Sequence, residues 1–171
     1  MIELVRLLAS PLSNLATLNV AIAATARDGT DAAPPTVAAV LNEADNNLTF
    51  REAESPPSPA IVVVTKTALT GKTTRFNGVQ DWEGDVVIGY ITVGAVEQKN
   101  FRDAMYTLRA VKHVLLNALF QGNGSAAART RNNVALMWIA SMQYGMTEQK
   151  EFGGVMTGAL TLTCKTREIN P

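Results

Sequence analysis

The chain has 171 residues, 47% of them hydrophobic and 18% charged, with Lys plus Arg and Asp plus Glu both at 15. That length fits a single domain spanning 1–171 with a sizeable core, and the charge balance gives no basis for a nucleic-acid coat or a polybasic membrane patch. One cysteine (Cys164) and one histidine (His113) exclude an intrachain disulfide and a Cys/His zinc site, and leave little for a nucleophile paired with imidazole.

In chain order, Leu4, Leu7, Leu8, Leu12, Leu15, Leu18 and Ile22 recur at helical spacing and predict an amphipathic helix over 2–26. A break is expected at Ser10-Pro11, because proline lacks the N–H that a helix needs. Asn14, Thr17 and Asn19 interrupt the apolar run, so it does not read as a signal peptide, and no stretch reaches membrane-spanning length. After Asp28-Gly29-Thr30-Asp31, a loop, Val37, Val40, Leu41 and Ala44 form one stripe and predict a short helix over 36–44. The N-terminal helical segment thus covers about 1–46. Leu48 to Glu52 reads as a short strand, and Ser55-Pro56-Pro57-Ser58-Pro59 as an exposed, extended connection, 55–59.

Ile61 to Val64 is a β-branched strand. Residues 66–83 mix turn signals with threonine and charge and read as an irregular hairpin or long loop. From Val86 to Val93 apolar residues occupy both parities, which predicts a strand covered on both faces. Residues 97–121 form the strongest helix. Phe101, Ala104, Met105, Leu108, Val111, Leu115 and Leu119 share one face, with Arg102, Arg109, Lys112, His113 and Asn117 largely opposite and Gly122 as the stop. A polar, Gly-rich loop follows over 122–132. Val134 to Tyr144 and 154–167 then alternate at period two and predict a long antiparallel hairpin linked around 146–153. The whole is an α+β fold: a mainly antiparallel sheet with one long helix and an N-terminal helix packed on it.

Chemistry-bearing strings are few. Gly71-Lys72-Thr73-Thr74 resembles the end of a P-loop, but Lys66 stands where the first glycine belongs, and strand and turn residues follow where a helix is required. An exposed hairpin turn is the better reading. Asp81, Glu83 and Asp85 flank Trp82 in what reads as a polar loop; solvated charge is the default over a metal site. Trp82 either folds back on its own core or inserts into a partner. His113 reads as a solvated or interface residue, and Cys164 as a buried small apolar residue. Lys99 to Arg131 contains six Lys or Arg and one acid, Asp103, so a basic strip there reads as a solvated face or as a complement to acidic loops on a neighbouring copy.

Asp85 to Val93, the helix Asn100 to Gln121, and the ending Gly154 to Ile169 resemble the tail terminator proteins of tailed bacteriophages, in architecture and texture over most of the chain after about residue 48. The resemblance implies a structural virion protein that forms a homohexameric ring on the finished tail tube. It would stop tube polymerisation and present a joining surface to the neck or head. It implies no catalytic site, no cofactor and no metal, so the chain is not read as an enzyme. The implied partners are copies of itself, the tail tube protein, a neck or connector protein, and the sheath protein where the tail is contractile. DNA is a partner only in transit through the lumen, and no membrane is involved. The implied location is the virion tail and neck, with assembly in the host cytoplasm. Alternatives are another head–tail connector or neck protein, and a non-viral adaptor domain. A ring needs heterologous contacts that close. The candidate contact residues are Lys72, Arg75, Asp81 and Trp82 of the 66–84 hairpin, and Arg129 and Arg131 of the 122–132 loop.

Overall fold

A computed structural model describes residues 2–25, 32–45, 56–66, 70–75, 79–95, 97–120, 134–151 and 153–169. The predicted strand over 48–52, the loops at 28–31 and 122–132, and the stop at Gly122 lie outside these residues. The elements are α1 (Ile2–Leu12), α2 (Leu15–Thr25), β1 (Ala39–Asn42), a 3-10 turn (Glu43–Asp45), β2 (Ala60–Thr65), β3 (Thr70–Arg75), β4 (Val79–Thr92), α3 (Gln98–Phe120), β5 (Val134–Glu151) and β6 (Gly154–Ile169). The expected α+β class holds: one mixed sheet ordered β1-β2-β4-β6-β5, with β3 pairing the first part of β4. Among the described residues only the β1–β2 pair is parallel.

The N-terminal helix breaks three residues later than the proline suggests. Pro11 sits inside α1, near its end, where few i→i−4 bonds remain to be lost. The chain turns by 70° at Ser13-Asn14. There the Ser13 hydroxyl donates to the Ala9 carbonyl (3.0 Å), and the Thr17 N–H donates to Asn14 Oδ1 (3.1 Å), capping α2. No single helix among the described residues is long and apolar enough to cross a membrane.

In place of the helix expected over 36–44 stand strand β1 and the start of the 3-10 turn. The Asn19 carboxamide, on α2, accepts from the Val37 N–H (2.8 Å) and donates to the Val37 carbonyl (3.1 Å), holding that backbone extended. β1 then pairs with β2 from Ala39↔Ala60 to Asn42↔Val63. The i, i+3, i+4 stripe was a coincidence of two burials: Val37 lies in the main core and Leu41 in a second cluster. The proline-rich connection is only partly exposed. Pro56 is buried, Pro57 and Ser58 are exposed, and the Ser58–Pro59 peptide bond is cis.

The core lies between the helices and one face of the sheet. Leu4, Leu8, Leu12, Leu18 and Ile22 of α1 and α2 meet Leu108, Val111 and Leu115 of α3. Beneath them are Ile61, Val63, Val86, Ile88, Tyr90, Leu160, Leu162 and Cys164. At about 25 cal/mol per Å² of apolar area removed from water, this burial is the main favourable term in folding. The expected apolar face of α3 is present, with Ala104, Leu108, Val111 and Leu115 fully buried and Arg109, His113 and Asn117 exposed. Its start is fixed by Asn100, whose side chain accepts from the Glu97 N–H (3.2 Å). A smaller cluster of Leu41, Ala60, Val62, Ile91 and Met156 covers part of the opposite face. Met156 reaches over Gly89, where a Cβ would stand 2.6 Å from its Cε.

The last two strands are longer than the alternation predicts. β5 runs to Glu151 and β6 starts at Gly154, so the expected link over 146–153 shrinks to two residues. Gly153 makes the turn at φ 76°, a backbone conformation open to glycine at little steric cost.

Candidate interaction surface

Of the two readings of 66–83, an irregular hairpin or a long loop, the described residues form the irregular hairpin. β3 lies along β4 with Thr70↔Glu83, Gly71↔Trp82 and Lys72↔Asp81, then a shift, then Thr74↔Gln80 and Arg75↔Val79. On its other side β4 is paired by β6 throughout, from Val79↔Ile169 to Thr92↔Val155. Pairing on both sides stabilises an extended backbone that its turn-forming residues would not hold alone. Lys72 is therefore on a strand rather than at an exposed turn. Gly71-Lys72-Thr73-Thr74 leads into no helix, so the amide cradle of a P-loop is missing.

Trp82 and the acidic triplet also sit on a strand, not in a polar loop. Glu83 and Asp85 alternate with Val86 and Ile88 of the core and so lie on the face away from the helices, with Lys165 and Thr163 of β6 opposite them. By register, Asp81 stands opposite Arg167 and Trp82 opposite Thr166. Across three strands the register therefore places Lys72, Asp81 and Arg167 in one row of alternating charge. Glu83 and Lys165 form an ion pair at 3.6 Å, both half-exposed, worth little in stability but fixing the charge order. Beside it the Ser141 hydroxyl donates to Thr163 Oγ1 (3.0 Å), and Thr163 donates to Asp85 Oδ1 (2.8 Å). This chain of hydroxyl and carboxylate links β5, β6 and β4 on the face away from the helices.

Of the six candidate contacts, the structure thus brings Lys72, Arg75, Asp81 and Trp82 onto one β3–β4 ribbon, while Arg129 and Arg131 lie outside the described residues. Sequence reasoning missed β5 as a surface. Ser141, Gln143, Tyr144, Gly145, Met146, Glu148 and Lys150 are all exposed, and Tyr144 and Met146 are 37% and 45% accessible. The Lys112 ammonium stands 5.9 Å from the Tyr144 ring centroid, a cation–π approach from α3. The signal was present in the sequence: no charged residue occurs from Val134 to Thr147.

The titratable groups inside the fold are set for packing. Burial, and then the charge of Asp85, push the Cys164 thiol from 9.0 up to about 12, so it carries almost no thiolate at neutral pH. Burial, and then Asp103, raise the Tyr90 phenol well above its ordinary range. His113 is exposed on α3, while Cys164 is buried among the core strands. Among the described residues no three His, Cys, Asp or Glu side chains converge on a metal position.

Compared with known proteins, the chain matches no family model and no curated sequence.

Proposed function

We propose that this chain is a structural assembly subunit that forms a ring at the end of a bacteriophage tail tube, ends tube growth and offers a joining surface to the neck or head. The observation that carries the assembly part is β5: an 18-residue strand at the sheet edge, exposed at Ser141, at 143–146, at Glu148 and at Lys150, and free of charge over its first 14 residues. An edge of this kind is normally shortened, charged or covered in a protein that stays alone. The register aligns Lys72, Asp81 and Arg167 across β3, β4 and β6, a source of charge complementarity for an incoming partner. The particular role, tail termination, rests on the resemblance of the element order: helical N-terminus, core strands with a charged hairpin, one long helix, then two long strands. On this reading the partners are further copies of the chain, the tail tube protein and a neck or connector protein, with the sheath added in a contractile tail. DNA passes through the lumen, and the protein resides in the virion after assembly in the host cytoplasm. Chemistry is not part of the role.

Negative-stain imaging of the purified protein, alone and mixed with isolated tail tubes, tests the proposal. A six-fold ring capping one end of each tube is expected. Monomers in both samples, with bare tube ends, would refute it, and binding to portal-filled heads without tube binding would favour the neck-protein alternative.

A further inference from the structure

We propose that β5 is the edge along which one copy of this chain adds to the next, by antiparallel pairing with the β3 edge of a second copy. This rests on the ring reading above and names the contact that closes the ring.

The sheet has free edges on opposite sides. Among the described residues, β5 is paired only by β6, and β3 only by β4. If β4 is taken as pointing up, β2, β3 and β6 point down and β5 points up, because each of these pairs is antiparallel. A second copy related by rotation about an axis along the strands keeps the same directions. Its β3 therefore arrives pointing down beside an upward β5, and the junction is antiparallel. Closure forbids a step along the axis, so edges must meet at the same level. The registers supply that level. Thr70 is opposite Glu83, Glu83 is opposite Lys165, and Lys165 is opposite Trp138. The β3 segment thus stands level with the first part of β5, near Val134–Trp138.

The chemistry at that level is permissive. Residues 134–139 carry no charge, and β3 brings Lys72 and Arg75 without an acid, so no like charges oppose each other. Leu136–Ile139 and Ser141–Met146 pair with β6 in regular register, between the shifts that bend the strand at either side. They leave alternate N–H and C=O groups directed away from β6, and β3 of a second copy satisfies those of the first stretch, at its own level. Tyr144 and Met146, exposed just beyond, supply apolar area at the rim of the same junction.

Disulfide trapping separates this contact from others. Within one copy, β3 and β5 are three strand spacings apart, about 14 Å, beyond the roughly 7 Å Cα limit for a disulfide. A bond between them must therefore join two copies. Thr70→Cys is combined in turn with single cysteines along Ala135–Gln143, and mass is followed by light scattering beside non-reducing gels; Cys164 is buried and does not compete. The expected result is a ring mass with a ladder of linked copies at one or two neighbouring positions, strongest near residue 138. Ring mass with no ladder at any position overturns the edge pairing and leaves the ring standing. Monomer with no ladder, both alone and with tail tubes, overturns both. A β5 cysteine that links to the tube protein instead gives the edge to that partner and overturns this proposal. Hydrogen exchange on the unmodified chain needs no substitution: alternate amides in 134–139, level with the six residues of β3, should slow at least tenfold on assembly, and unchanged rates there would overturn the pairing.

Discussion

Gly158→Ala tests the way α3 seats on the sheet. A Cβ at position 158 would stand 3.0 Å from Ala104 Cβ and 3.3 Å from Leu108 Cδ1, both on the buried face of α3. Ordinary carbon contacts lie near 3.5–4.0 Å, so the helix must lift by a few tenths of an ångström over a well-packed layer. Overpacking of this kind costs about 1–3 kcal/mol, against which the reduced freedom of the unfolded chain returns about 0.4–1 kcal/mol. A net loss of about 1–2 kcal/mol follows, read as a lower urea midpoint at unchanged slope and fixed protein concentration. Gly145→Ala is the control, because nothing lies within 4 Å of a Cβ there and the position is exposed. It should be within about 0.5 kcal/mol of the parent. The second arm is Ala104→Gly, which alone costs about 1 kcal/mol of helix propensity but removes the clashing carbon. Combined with Gly158→Ala, it should recover part of the loss and leave a coupling of at least about 0.5 kcal/mol. Strict additivity, or equal effects at 145 and 158, would refute the close-approach argument.

Asn19→Ala should cost about 1–3 kcal/mol, because it leaves the Val37 N–H and carbonyl without their side-chain partner. Amide exchange in β1 should accelerate more than in β2, whereas uniform exchange across both strands would mean that Asn19 does not hold β1. Stability should also fall in alkali. The folded Cys164 thiol titrates near 12 instead of 9.0, so its contribution is complete below pH 9 and is lost as pH rises towards 12. Tyr90, raised in the same sense, adds to that loss at still higher pH. Denaturant midpoints at pH 7 and pH 10.5 should therefore differ less in Cys164→Ala than in the parent, and identical pH dependence in the two would sink this attribution.

Local pattern made much of the fold legible. The buried face of α3, the β-branched run of β2, the apolar centre of β4 and the alternation of β5 and β6 each carry their own period, and all four were read from residues within one element. Position 36–44 failed because four apolar residues over so short a stretch do not by themselves tell a helix from a strand buried on both faces. The choice was made by Asn19, eighteen residues earlier in the chain, and by pairing with β2. Residues 79–84 failed for a related reason: their Asp, Glu and Gly favour turns locally, and only β3 and β6 on either side make them a strand.

The candidate surface divides in the same way. From the sequence alone came the scarcity of residues for a nucleophile–imidazole pair, the neutral charge, and Lys72, Arg75, Asp81 and Trp82 as candidate contact residues. Tertiary structure decided that these four share a ribbon, and that an 18-residue strand, uncharged over its first 14 residues, forms one border of the sheet among the described residues. The physical reason is range. Helix and strand periods are set by neighbours a few residues apart, whereas strand order and free edges depend on hydrogen bonds between segments as distant as Lys72, Asp81 and Arg167.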